Sequence, residues 1–242
     1  MHSAIAEILK HPGIWRGDGF SQAHPDTLSS GHLQLDAVLP GGGWPQAAVS
    51  EIIARQAGCG ELKLLLPALA NLTQARKQVL LIAPPHIPYA PAWQAAGIDL
   101  RYLTWVDPES ENDALWTMEQ ALREPDCGAV VAWFEHAVAD RNCRRLQVAA
   151  ETGGGCGFVL RQGRADNVVS PFGLRLAVEP AAGGVGVQVI KRRGSPLARP
   201  IFLPHRQLSA PNPSGIRHVV AGTAFPLAPA RRAADPVNAC VA

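Results

Sequence analysis

Residues Glu51–Pro67 read EIIARQAGCGELKLLLP. An apolar strand-like run, a small-residue loop and a leucine-rich helix follow one another here in the order that a phosphate-binding loop requires. A working loop has glycine, four residues, glycine, lysine, then serine or threonine. Its backbone N–H groups cradle the phosphates, the lysine reaches the β- and γ-phosphates, and the hydroxyl binds magnesium. Arg55 stands at the first glycine, Gly60 at the second, Glu61 at the lysine and Leu62 at the hydroxyl. Three of the four positions depart from the pattern, and Glu61 turns an attractive charge into a repulsive one. A unit charge at about 4 Å is worth roughly 4 kcal/mol at an effective dielectric of about 20, so a triphosphate is disfavoured. Two readings of Glu61 stay open: its carboxylate serves the helix N-terminus that a phosphate would otherwise serve, or it is a good first-turn residue.

Downstream, Leu62, Leu65, Leu66, Leu69 and Leu72 recur at helical spacing, with Pro67 kinking the helix or marking its first turns. VLLIA (79–83), YLTWV (102–106) and GAVVAWF (128–134) read as strands, separated by helices over 90–96 and 112–123. A helix over 140–151 and a strand FVLRQ come next, and LRLAV (174–178) and VGVQVI (185–190) alternate around PAAGG as an antiparallel hairpin. Continuous apolar strands between helices imply an α/β fold, a mostly parallel sheet covered on both faces, with the hairpin at its C-terminal edge. The expected organisation is an N-terminal helix or docking arm and linker over 1–30, a core over 31–194, and a Pro-rich, largely unstructured tail over 195–242. In the arm, Ile5, Ile8 and Leu9 share one helical face and Trp15 adds apolar bulk.

The strand that would end in a magnesium-binding aspartate, GAVVAWFEHA, has Trp133 at that position, and Glu135 two residues on is a weak substitute. NTP hydrolysis is left without electrostatic machinery. His86 lies between prolines with no nucleophile or acid at a recognisable spacing and reads as a turn residue. The five cysteines are odd in number and scattered, which fits reduced thiols better than a disulfide framework or a zinc site. The chain has 47% hydrophobic and 17% charged residues, and no apolar run near the roughly 18 residues that cross a bilayer. The expected setting is the cytoplasm, without a membrane. A net charge of +2 says nothing by itself about nucleic acid, since clustered charge is the footprint of such binding.

Two clusters stand out. Arg141, Arg144 and Arg145 fall on one helical face opposite Cys143, Leu146, Ala149 and Ala150; such a stripe is either a solvated face or a surface for DNA or an acidic partner. Lys191, Arg192 and Arg193 end the last hairpin strand, where charge can simply blunt a sheet edge. Trp44, Trp93, Trp105, Trp116 and Trp133 are expected in or beside the core.

LSSGHLQLDAVLPGGGWP (28–45) and IAPPHIPYAPAWQAAGIDLRYL (82–103) resemble the segments around the nucleotide loop of the recombinase RecA. In the second, Pro85 takes the place of that family's catalytic glutamate. Within the superfamily the chain resembles ImuA, the RecA-like family linked to error-prone translesion synthesis, through HPGIWRG, GELKLLLPALA, IAPPHIPYAPA, DALWTMEQAL and IKRRG. The resemblance implies a non-catalytic, cofactor-free accessory protein of the SOS response. Its implied partners are an ImuB-like polymerase homologue, an error-prone DNA polymerase III alpha-type subunit and RecA, with DNA left open. In RecA two lysines, one residue apart at this place, reach the neighbouring protomer's nucleotide, and Lys191 and Arg193 match them. SulA, a division inhibitor that binds FtsZ, is a related family and the alternative. A true ATPase using Glu135 is the third reading.

Overall fold

The computed structural model describes residues 26–164, 170–193 and 199–204. Ile5, Ile8, Leu9 and Trp15, and residues 205–242, lie outside them. The first described elements are two short strands, β1 (Thr27–Leu28) and β2 (Trp44–Pro45), paired antiparallel around a one-turn helix, α1 (Leu33–Asp36). Asp36 ties this entry together, accepting hydrogen bonds from the Ser30 backbone N–H at 2.8 Å and the Ser29 hydroxyl at 2.7 Å. Ordered packing therefore begins before residue 31, the expected start of the core, because a local carboxylate satisfies the backbone of a stretch whose composition reads as linker.

The chain then builds β3 (Ala48–Ala54), a 3₁₀ turn at Leu62–Leu64, α2 (Leu66–Gln74), β4 (Gln78–Ile82), α3 (Ala90–Ala95), β5 (Leu103–Val106), α4 (Glu111–Arg123), β6 (Cys127–Phe134), α5 (Asp140–Gly153), β7 (Cys156–Gln162), β8 (Leu174–Ala181), β9 (Gly184–Lys191) and β10 (Ile201–Pro204). Among the described residues the main sheet has eight strands in the order β10-β9-β8-β3-β7-β6-β4-β5. Every pair from β8 to β5 is parallel; β9 runs antiparallel to both β8 and β10. The fold is α/β, as the alternation of apolar runs and helices implies.

Alternation along each strand sends side chains to two separate cores. Ile52, Val79, Leu81, Val131, Phe158 and Leu176 pack with α2 on one face, while Val49, Ile82, Val130, Ala132 and Val159 meet α4 and α5 on the other. Pro67 sits in the first turn of α2, where its missing N–H costs nothing, so it starts the helix rather than kinking it.

Three details differ from the sequence pattern. The hairpin strands run through PAAGG and leave only Ala182 and Gly183 as the turn, Gly183 supplying a φ of +76°. The antiparallel edge is one strand wider than the hairpin: Ile201–Pro204 pairs with β9 and buries Leu203 completely, so the core passes residue 194. Four residues bounded by Pro200 and Pro204 are too few to show a period, yet they cover Val185 and Val187. Trp44 and Trp93 are buried, but Trp105 is 44% and Trp116 61% exposed. Trp105 lies on β5, the outermost strand among the described residues, and Trp116 lies between the inward positions Ala114 and Met118.

Candidate functional site

Strand β3 is flanked by β7 on one side and β8 on the other, and the chain leaves its C-terminal end into the loop at 55–61. In open parallel sheets the reversal of strand order at such a position opens the ligand crevice. Here the loop fills itself. The Glu61 carboxylate accepts the Gly58 N–H on Oε1 at 3.2 Å and the Gly60 N–H on Oε2 at 3.0 Å. The loop amides of Gly58 and Gly60 hold this chain's own anion, while Glu61 stands directly before the turn at Leu62–Leu64 without a side-chain bond to it. Gly60 has φ +107°, and a Cβ there would come within 2.7 Å of Val185 Cγ2, so the turn is pressed against β9 and needs glycine. Arg55 pairs with Glu179 at 3.2 Å, both about half exposed, a contact worth about 0–1 kcal/mol. Leu62, at the hydroxyl position, is half-buried beside the core below α2.

Pro85 is exposed in the turn after β4, and Trp133 packs half-buried against the α2 side of the sheet. Glu135 is exposed, and its backbone N–H donates to Glu111 Oε1 at 3.1 Å. His86 is exposed in a bend, as a turn residue would be. Among the described residues no group of three or more His, Cys, Asp or Glu could hold a metal ion, and no helix is long and apolar enough to cross a membrane.

Sequence reasoning passed over a charged cluster inside the sheet. Glu51, on β3, is 2% exposed and accepts Arg161 Nε on Oε1 at 2.7 Å and Arg175 Nε on Oε2 at 2.5 Å. Arg161 comes from β7 and Arg175 from β8, so one carboxylate joins the three central strands. The Nη2 atom of each guanidinium is buried without a partner. The signal was present: one acid and two bases interrupt the otherwise apolar runs AVSEIIA, CGFVLRQ and LRLAV.

The basic terminus of β9 lies at the opposite end of the sheet from the 55–61 loop, because β9 runs antiparallel to its neighbour β8. Lys191 Nζ donates to the Ser170 carbonyl at 2.8 Å, and Arg192 Nη1 donates to the Val38 carbonyl. Arg193 is exposed at the same edge. The stripe on α5 is only partly a solvated face. Arg141 and Arg144 are exposed, but Arg145 donates to the buried carboxylate of Glu119, which also accepts Arg123 Nη2 at 2.6 Å. Glu119 thereby locks α4 to α5.

Burial raises the thiols of Cys127 and Cys143 to about 11 and that of Cys156 to about 12 from an ordinary 9.0, with Glu51 adding to the shift at Cys143. An unfolded chain releases these protons at lower pH than the native one, so their stabilisation is complete below pH 9.0 and is lost as pH rises through about 11 and 12. Urea midpoints should hold up to pH 9 and fall beyond it, and Cys→Ala changes at the three sites should flatten that slope.

A family profile described as cell division inhibitor SulA matches residues 47–157, under half of the chain. Protein RecA of Synechocystis sp. is 28% identical over 134 residues, covering 54% of this chain and 37% of that protein. Cell division inhibitor SulA of Klebsiella aerogenes is 31% identical over 99 residues, 40% of this chain and 58% of that protein. The SulA of Pectobacterium atrosepticum is 27% identical over 130 residues, 54% of this chain and 74% of that protein. The chain thus spans less than two thirds of the first two relatives. These likenesses support a protein related to both SulA and RecA, and they favour neither over the other.

Proposed function

We propose that this chain is a non-catalytic, RecA-shaped adaptor of the DNA-damage response, acting by protein contact within an error-prone translesion assembly of the ImuA type. The observation that carries this reading is the Glu61 carboxylate seated on the amides of Gly58 and Gly60, which closes the nucleotide loop with the protein's own charge. Without lysine, hydroxyl or acid at the matching positions, a RecA-like body is left with its surfaces. The placement of Lys191 and Arg193 supports RecA as one partner: they stand at the far end of the sheet from the chain's own 55–61 loop, out of its reach. An ImuB-like protein and an error-prone polymerase III alpha-type subunit are the further partners this role requires, and the setting is the cytoplasm. The cations of α5 leave a DNA contact through Arg141 and Arg144.

The test is a titration with RecA filament on single-stranded DNA, in parallel with a fluorescent ATP analogue and magnesium. Salt-sensitive filament binding without nucleotide binding is expected. The double change Lys191→Glu/Arg193→Glu should weaken filament binding at least tenfold, since it reverses two charges at the contact. Unchanged binding in that variant would sink the docking role.

A second reading, a division inhibitor binding FtsZ, draws on the SulA profile over 47–157. It predicts filamentous cells on overexpression and inhibition of FtsZ polymerisation by the purified protein. Inhibition of FtsZ with no RecA binding would replace the adaptor reading.

A further inference from the structure

A cavity of about 320 Å³ lies between α5 and the starts of β3 and β8, at the end of the sheet away from the 55–61 loop. Pro45, Val49, Pro171 and Leu174 give it apolar walls, and Glu151 and Arg193 set one charge of each sign beside them. With the rim balanced, apolar area rather than charge selects an occupant. Gln147 builds the rim: its Oε1 accepts the Val49 N–H at 3.1 Å, and its Nε2 donates to the Ala47 carbonyl at 3.3 Å and to Glu151 Oε1 at 3.0 Å. Glu151 Oε2 accepts no hydrogen bond among the described residues. Ala47, also at the cavity, is held at φ +51°, in the left-handed region that alanine seldom enters, and a backbone constrained in this way beside a pocket points to a ligand.

The chain itself enters the fold at this cavity. The Asp26 carbonyl accepts the Gln46 N–H at 3.2 Å and Thr27 stands opposite Pro45 in the β1–β2 pair, and both Pro45 and Gln46 line the cavity. The 25 residues ahead of Asp26 therefore start from its wall. The C-terminal segment does not, because Pro204 pairs with Gly184 at the opposite end of the sheet, next to Val185, against which Gly60 of the loop is pressed. Within residues 1–25, Glu7 and Asp18 balance Lys10 and Arg16, so the segment suits a rim of balanced charge. Its large apolar residues nearest to Asp26 are Ile14, Trp15 and Phe20. Trp15 precedes Asp26 by eleven residues. Such a stretch extends to about 40 Å at most, so the indole can fold back to the cavity with slack in the chain.

We propose that this cavity is the seat of the chain's own N-terminal arm, with the Trp15 indole against Pro45, Val49, Pro171 and Leu174 and its Nε1–H donated to Glu151. The volume, at the lower end of the roughly 300–1,000 Å³ range of ligand pockets, takes one large side chain. An indole joins a broad apolar ring to a single donor, which matches apolar walls with one carboxylate oxygen open at the rim. Phe20 has the ring without the donor and leaves that oxygen unused. The seated arm becomes part of the end of the sheet that carries Arg193, through a contact within one chain that holds or fails independently of the adaptor reading.

The test uses the full-length protein labelled with ¹³C and ¹⁵N. Nuclear Overhauser contacts are expected from the Trp15 indole ring to the methyl groups of Val49 and Leu174 within one chain, with slow exchange of the Trp15 Nε1–H. Trp15→Ala should move the amides of Val49, Gln147 and Leu174 while those of β4 stay in place. The peptide HPGIWRGDGF, residues 11–20, added to that variant should restore them saturably, and the same peptide with alanine for tryptophan should bind at least tenfold more weakly. Glu151→Gln, at an exposed position where folding is not at stake, should speed exchange of the Nε1–H and weaken the peptide by a smaller factor. Absence of the contacts together with unmoved cavity amides overturns the proposal. So do contacts seen only between labelled and unlabelled chains in a mixed sample, which would make the occupant a second copy. A larger shift at the cavity from Phe20→Ala than from Trp15→Ala, or cavity amides that respond only to added RecA filament, overturns it as well.

Discussion

Glu51→Ala is expected to cost about 3–5 kcal/mol of stability, a large share of the roughly 5–15 kcal/mol that holds a typical domain folded. The carboxylate is the hydrogen-bond partner of both Arg161 and Arg175, whose side chains are 6% and 5% exposed. Removing it leaves two guanidinium ions in the sheet interior with their counter-charge gone, and the desolvation cost of each is no longer offset. Glu51→Gln should be destabilising as well, since it keeps the shape but withdraws the charge. The triple replacement Glu51→Leu, Arg161→Met, Arg175→Met should recover most of the loss, because an apolar set of similar volume needs no compensation. Urea unfolding of the single and triple variants decides the matter. A cost below about 1 kcal/mol for Glu51→Ala would mean that water already reaches these arginines.

Glu61→Lys is expected to raise the affinity for magnesium ATP at least tenfold over the native protein without bringing hydrolysis above background. The change removes the anion that occupies the Gly58 and Gly60 amides and supplies a cation in its place. Each unit of charge at about 4 Å counts for roughly 4 kcal/mol at an effective dielectric of about 20. Hydrolysis is expected to stay absent because Pro85 and Trp133 stand where the resemblance to RecA would place a water-activating and a metal-binding acid. Glu61→Gln should fall between the two, opening the loop without adding attraction. A fluorescent ATP analogue followed by anisotropy measures all three. Saturable binding by the native protein would show that Arg55 leaves Glu179 to take the lysine's role, and the self-filled loop would then be a gate rather than a closure.

Much of this was legible locally. The order of strand, small-residue loop and helix at 51–67, and the apolar runs of β4, β6 and β7, repeat at the periods that backbone geometry demands. Less legible were the short or interrupted pieces. Ile201–Pro204 carries no period, and Thr27–Leu28 belongs to a pair only because Trp44–Pro45 returns beside it. The arginines at 141, 144 and 145 looked alike along the helix, and only the neighbouring helix distinguishes Arg145, through Glu119.

The sequence by itself determined that the chain folds as a helix-covered, mostly parallel sheet and that the 55–61 loop carries neither the lysine nor the hydroxyl of a working phosphate loop, since periodicity and residue identity at fixed spacings are local properties. Only the tertiary structure decided that Glu61 folds back onto its own loop, that Glu51 meets arginines 110 and 124 residues away, and that Lys191 and Arg193 stand at the end of the sheet remote from that loop. Those pairings follow from strand order and direction, which come from how the whole chain buries its apolar faces, and no local pattern encodes them.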